Sequence, residues 1–329
     1  MQWLNRQVLV TGAGGFIGSH LVEALVQKGA RVRGFVHYNS RGDAGLLRLI
    51  QREILDTVEI IPGDIRDPQA VQEAVKGCSF VFHLGALISI PYSYLHPTEV
   101  AETNIIGTLN VLNACREFGV PRMVHTSTSE VYGTALRVPI DESHPLQGQS
   151  PYSASKIGAD KLVESYYCAF GLPVVTVRPF NTFGPRQSSR AVIPTIITQA
   201  LVNDTILLGN LDSKRDFTFV SDTVNGFIKA AEAQSVEGEV FNLGTGSEVT
   251  IGDLAQMIMR IVGRQVPIET DQIRLRPENS EVQRLLSDNS KARKELGWQP
   301  EFSLEKGLEQ TVNWIQEHLE LYQVGKYEF

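Results

Sequence analysis

The sequence predicts an α/β fold, a doubly wound parallel sheet with a smaller C-terminal lobe, and three observations carry that prediction. Along the first half of the chain, short apolar runs of strand length alternate with amphipathic segments of helix length. Such alternation folds into a parallel sheet covered by helices on both faces. The first apolar run leads straight into a glycine cluster that opens a helix. Finally, 329 residues are enough for two lobes, and the rhythm of the sequence loosens after about Asn181.

Taken in order, strands are predicted at 8–11, 32–36, 58–61, 80–84, 123–126, 174–178 and 240–243. Helices fall between them. In 17–28, Ile17, Leu21 and Leu25 recur at helical spacing. Segments 102–118 and 151–170 read as helices that are apolar over more than one face, and 220–233 as a further helix. Beyond Asn181, loops at 184–189 and 209–215 and a basic, proline-marked stretch at 274–277 indicate the second lobe. The predicted division is 1–181 for the sheet, with about 216–244 returning to it, and 182–215 plus 245–329 for the second lobe. No internal repeat or low-complexity segment interrupts this plan.

An apolar share of 42 % and a charged share of 20 % are ordinary for a globular protein. The net charge of −7 argues against nucleic acid or an anionic membrane as partner. No apolar run reaches the length of a bilayer span, and Met1 to Val8 lacks the layout of a signal peptide, so a cytoplasmic protein is expected. Cys78, Cys115 and Cys168 are odd in number and widely spaced, with no metal-like pairing. They read as small buried side chains in a reducing compartment.

The glycine cluster is Gly12-Ala13-Gly14-Gly15-Phe16-Ile17-Gly18. Glycine is needed where backbone turns tightly and approaches a pyrophosphate, and the helix that follows offers free N–H groups and a positive dipole end. Strand, glycines and helix in that order form a Rossmann-type dinucleotide site, with Gly12, Gly15, Phe16, Ile17 and Gly18 against the cofactor. Asp64-Ile65 follows the third strand; the carboxylate either accepts from an adenine amino group or is a solvated loop charge. After the second strand, the acid that meets a free ribose 2′-hydroxyl is missing. Asn39, Ser40 and Arg41 stand near that position instead and would suit a 2′-phosphate, which favours NADP over NAD.

Tyr152 and Lys156 lie one turn apart on the helix headed by Pro151. A phenol ionises near pH ~10 and is a poor base at neutrality unless a neighbouring ammonium stabilises phenolate. Upstream, the strand 123–126 delivers Ser127-Thr128-Ser129-Glu130. The carboxyl ends of strands face the ligand crevice in such sheets, which places Thr128 to bond a substrate hydroxyl. Glu130 is there either a general base or a loop charge.

With these motifs in hand, the sequence resembles an extended short-chain dehydrogenase/reductase over essentially its whole length. The glycine motif, Tyr152/Lys156, Arg178-Pro179-Phe180-Asn181, Arg215-Asp216-Phe217 with Val220-Ser221-Asp222, and Leu296-Gly297-Trp298 carry the likeness. Thr128-Ser129-Glu130 resembles the nucleotide-sugar 4,6-dehydratases. The narrower similarity, carried by 83–94, 147–151 and 276–282, is to the N-acetylglucosamine-nucleotide 4,6-dehydratases of the legionaminic-acid pathway.

The resemblance implies a bound, recycled NAD or NADP, touched also by Leu84 and Ala86, and a catalytic set of Thr128, Ser129, Glu130, Tyr152 and Lys156. It implies a nucleotide-sugar substrate, UDP- or GDP-linked, held by Ser93, Asn181, Arg186 and Glu281, with Arg215 and Arg276 at the pyrophosphate. It implies a homodimer through the helices 102–118 and 151–170. One departure matters: dTDP-glucose 4,6-dehydratases carry Asp where this chain has Ser129, and serine is a poor proton donor for a leaving hydroxyl. Three other readings remain: a 4-epimerase, a UDP-glucuronate decarboxylase sharing the Thr-Ser-Glu stretch, and a non-catalytic dinucleotide sensor, which would be expected to lose Tyr152 or Lys156.

Overall fold

The computed structural model describes residues 3–324 and has the predicted class. Seven strands form one parallel sheet: β1 (Gln7–Thr11), β2 (Arg31–His37), β3 (Glu59–Gly63), β4 (Phe80–His83), β5 (Arg122–Thr126), β6 (Val174–Pro179) and β7 (Val240–Leu243). Their order is β7-β6-β5-β4-β1-β2-β3, so the direction of winding reverses between β1 and β4. Val8 is in register with Val32 on one side and Phe80 on the other. A crevice at the carboxyl ends of the strands is expected at such a reversal.

The strands read as unbroken apolar runs because both faces of the sheet are covered. Val8 and Val10 join one hydrophobic cluster, and Leu9, between them, joins the other. All three are fully buried. Helix α1 (Phe16–Gln27) covers the first face with Leu21, Val22 and Leu25. Helices α2 (Gly107–Glu117) and α3 (Pro151–Phe170) contribute Val111, Leu112 and Val163 to the second. The serine ahead of α3 closes a reciprocal cap: Ser150 accepts from the Ser153 amide, and the Ser153 hydroxyl accepts from the Ser150 amide.

The helix predicted at 102–118 is not uniform. Glu102–Ile106 forms a wider π-type turn before α2 begins. This turn carries the side chain of Asn104 inward, where its amide donates to the Leu87 carbonyl and Ser155 Oγ and accepts from the Leu87 amide. Three bonds to a buried amide fix the irregularity in place. Cys78 and Cys115 are buried as expected, but Cys168 is exposed. It lies in the last turn of α3, whose residues 167–170 are all exposed.

After β6 the chain builds small pairings outside the main sheet. Thr182–Phe183 runs beside Thr218–Phe219, Lys214–Arg215 lies between Val249–Thr250 and Arg284–Leu285, and Ile206–Leu208 pairs with Ile268–Thr270. Helix α4 (Val220–Glu232) and β7 then return, with Val240 in register with Thr176 of β6. Asp222 ties the C-terminal segment to α4: its carboxylate accepts from the Glu301 and Phe302 amides, and its carbonyl from the buried Trp298 indole. No helix of the described residues is long and apolar enough to cross a membrane.

Candidate active site

A cavity of about 720 Å³ lies along the carboxyl ends of the strands. Its floor is the glycine loop between β1 and α1. Gly12 adopts φ +69°, and a Cβ there would stand 2.9 Å from the Gly85 amide nitrogen. A Cβ on Gly18 would meet the Gly12 carbonyl at 2.1 Å, so glycine is what lets α1 start this close to β1. No side chain caps the start of α1, leaving its first amides toward the loop. A pyrophosphate fits this cradle of close backbone and free N–H groups.

Fifteen of the predicted residues lie on the cavity wall. Gly12, Gly15, Phe16, Ile17, Gly18, Asn39, Asp64, Ile65, Leu84 and Ala86 line the end expected for the cofactor. Thr128, Ser129, Glu130, Tyr152 and Asn181 line the rest. The Asp64 carboxylate is taken by Arg66 on both oxygens, at 2.6 to 3.1 Å, and that hydrogen bond holds it below the usual carboxylate range.

The end of β5 and the start of α3 build the reactive corner. Thr128 is extended and leads into a short 3-10 turn, Ser129–Tyr132, with its hydroxyl accepting from the Glu130 amide at 3.2 Å. Burial pushes the Tyr152 phenol up from its ordinary value, the neighbouring Thr128 side chain pulls it down, and the charges of Glu130 and Asp160 push it up again. Lys156, 4 % exposed, lies behind the wall and donates to the Thr126 carbonyl at 2.6 Å. Burial lowers its ammonium to about 8, and Asp160 supports the charge. Burial dominates the phenol, and Lys156 is not among the groups that shift it. Glu130 is half-buried and forms no ion pair among the described residues.

A second cluster forms where Lys214–Arg215 meets the segment 276–281. Glu281 accepts from Arg215 Nη2 at 3.3 Å and Ser213 Oγ at 3.2 Å, and its second oxygen is 3.9 Å from Arg276 Nε. Burial presses against the Arg215 charge, while Glu130 and Glu281 support it. Arg276 Nη1 is buried without a partner. The three segments of the narrower resemblance also converge here: Tyr94 Oη is 2.6 Å from Ser280 Oγ, which donates to the Gln149 carbonyl at 2.5 Å.

Four predicted contacts fall elsewhere. Arg186, expected in the substrate pocket, turns to α1 instead: its Nη2 bonds Glu23 at 2.6 Å and His20 at 2.8 Å. Arg186 adopts a positive φ of 69° at this point of the chain. Ser93, expected at the substrate, is fully buried and donates to the Ile90 carbonyl one turn back. Ser40 and Arg41 are exposed and off the wall, because Asn39 folds the loop back on itself by accepting from the Arg41 and Asp43 amides.

Sequence reasoning missed two residues. Asp43 stands on the cavity wall at the end of that folded loop, with no periodic signal to mark it. Asp160 lies one turn beyond Lys156, a spacing that was visible in the sequence, and gathers Arg178, His125 and Ser127 around a 6 % exposed carboxylate.

The sheet, the glycine cradle and the Tyr152–Lys156 helix define the class of the extended short-chain dehydrogenases/reductases. Residues 9–311 match the family described as GDP-mannose 4,6 dehydratase, and the chain belongs to that family. It is 33 % identical to a UDP-glucose 4-epimerase of Mycolicibacterium smegmatis, over 94 % of this chain and 98 % of that one. It is 32 % identical to a UDP-N-acetyl-alpha-D-glucosaminuronate decarboxylase of Bacillus cytotoxicus, over 95 % of this chain and 99 % of that one. Among solved structures, a double mutant of DesIV, a dTDP-glucose 4,6-dehydratase from Streptomyces venezuelae with NAD and DAU bound, superposes with a TM-score of 0.85 at 30 % identity. That superposition covers 96 % of this chain and 98 % of the other.

Proposed function

We propose that the protein is a nicotinamide-dinucleotide-dependent 4,6-dehydratase of a nucleotide sugar, acting on UDP- or GDP-N-acetylglucosamine. The observation that carries this reading is Glu130: a carboxylate on the same cavity wall as Tyr152 that forms no ion pair among the described residues, although its charge supports that of Arg215. An epimerase working at C4 alone needs no base for C5. The choice of N-acetylglucosamine, and a role in legionaminic-acid synthesis, rest on the narrower resemblance of segments 83–94, 147–151 and 276–282.

When bound, the dinucleotide supplies reversible two-electron chemistry at the sugar's C4 and C6. Tyr152 takes the proton of the C4 hydroxyl, Thr128 on the same cavity wall bonds that hydroxyl, and Lys156 carries the positive charge that supports phenolate. Once C4 is a carbonyl, the hydrogen on C5 is acidic, and Glu130 removes it. Glu130 then passes that proton to the departing C6 hydroxyl, since Ser129 is a poor acid and is itself 2 % exposed. A fresh proton reaches C5 from solvent through Glu130. Arg215 and Arg276 neutralise the substrate's pyrophosphate, and the unpartnered Arg276 Nη1 is the nitrogen available for it.

The test is incubation of the purified protein with UDP- and GDP-N-acetylglucosamine, followed by mass spectrometry. Loss of one water and a new C6 methyl signal support the reading. An unchanged mass with inverted C4 makes the protein a 4-epimerase, and loss of carbon dioxide from the matching uronate makes it a decarboxylase.

A further inference from the structure

Where the second strand ends, His37 occupies the position at which a ribose-binding acid is missing, and an acid reaches the cavity by another route. Asn39 accepts from the Asp43 amide at 3.0 Å and donates to its carbonyl at 2.8 Å, closing the loop into a compact hook. The hook lies on the glycine loop: a Cβ on Gly14 would stand 2.7 Å from the Ala44 carbonyl, and one on Gly45 2.5 Å from the Gly14 carbonyl. The Leu46 amide donates to that same Gly14 carbonyl at 2.9 Å. The Asp43 carboxylate is aimed by the Gly45 amide, which donates to Oδ1 at 2.8 Å; Oδ2 lies 3.3 Å from the exposed Arg48. Asp43 lines the cavity together with His37, Asn39, Asp64 and Ile65.

From this arrangement we infer that Asp43 is the specificity-determining residue of the cofactor end, accepting from the free ribose hydroxyls of NAD and excluding the 2′-phosphate of NADP. The charges around it favour the same outcome. Arg66 is the single arginine or lysine among the described residues of the wall, and Asp64 already holds its guanidinium. Arg41, the cation on which a preference for NADP would depend, is exposed and outside the wall. A dianionic phosphate would therefore meet an oriented carboxylate, with the nearest guanidiniums, Arg66 and Arg48, already paired with Asp64 and Asp43, whereas a hydroxyl there finds an acceptor.

The inference rests on reading the cavity as a dinucleotide site, and fluorescence titration with NADH and NADPH separates the two. Wild-type protein is expected to bind NADH at least about tenfold more tightly than NADPH, one such factor being the worth of a single charge-assisted bond. Asp43→Asn, which keeps the acceptor for the Gly45 amide, is expected to weaken NADH and to narrow that ratio. Arg41→Ala is expected to change neither. Equal affinity of the wild type for both, or an unaltered ratio in Asp43→Asn, overturns the role of Asp43 while leaving the cavity's reading intact. Binding of neither nucleotide overturns both. The wild-type ratio decides even if the variant folds poorly.

Discussion

Arg178 Nη2 stands 2.9 Å from Asp160 Oδ2, and both side chains are buried behind the reactive corner. Burial alone would raise the Asp160 carboxyl. The hydrogen bond from His125 and the charges of Arg178, His125 and Lys156 overcome that and hold it at about 2. Asp160→Asn leaves Arg178 buried with a weaker partner and is expected to cost about 3–5 kcal/mol at neutral pH. Because the folded carboxyl lies below its unfolded value of 3.8, its stabilisation is complete above that pH and is lost as pH falls toward 2. Urea unfolding of wild type and variant from pH 7 to pH 2 should show the gap between them narrowing in acid.

Glu130→Gln should retain dinucleotide binding and lose dehydration by about 10²–10⁴-fold, the usual worth of a positioned general base. Tyr152→Phe should fail one step earlier, with no oxidation at C4. In D2O the wild-type product should carry one deuterium at C5, while the hydrogen delivered to C6 should be the unlabelled one from C4. Wild-type turnover by Glu130→Gln, measured by loss of substrate mass, removes the assignment.

Arg186→Ala should leave the substrate's KM within about twofold, since the side chain faces Glu23 and His20 rather than the cavity. Its loss should appear as lower stability, about 1–3 kcal/mol, for stranding partly buried polar partners. A large rise in KM with no change in unfolding would return Arg186 to the substrate.

Ile106, Tyr167 and Phe170 are 45 %, 39 % and 53 % exposed along the segments on and beside α2 and α3. Apolar surface of this kind calls for a partner, and a homodimer through these helices is expected. Sedimentation at micromolar concentration should report a dimer, and Ile106→Asp with Phe170→Asp should give monomers. A wild-type monomer dismisses the arrangement.

Much of this molecule was legible in its residues, for identifiable reasons. Val8, Leu9 and Val10 form an unbroken apolar run because alternate side chains enter different cores, and that pattern survives any detail of the surroundings. Gly12 and Gly18 were legible because no other residue fits beside the neighbouring backbone. Tyr152 and Lys156 share a helix face by spacing alone, although burial, which governs their acidity, is a property of the fold. What escaped depends on contacts that leave no periodic mark in the sequence. Arg186 meets a glutamate 163 residues earlier in the chain. Asp43 reaches the cavity only because Asn39 folds its loop, a local bond pattern without periodicity. Cys168 differs from Cys115 only in what lies over it.

The position of β7 has a consequence for how the protein is made. β6 pairs with β5 on one side and with β7 on the other, and β7 is separated from it by some sixty residues of intervening chain. Until Val240–Leu243 has left the ribosome, β6 presents an open strand edge to its surroundings, and such edges recruit other chains. A fragment that stops after Asn181 would expose the same edge permanently. What β7 supplies is cover for β6, which is buried at every position in the finished protein: a nascent chain released early should be sticky rather than folded, however complete its glycine loop and its Tyr152–Lys156 helix.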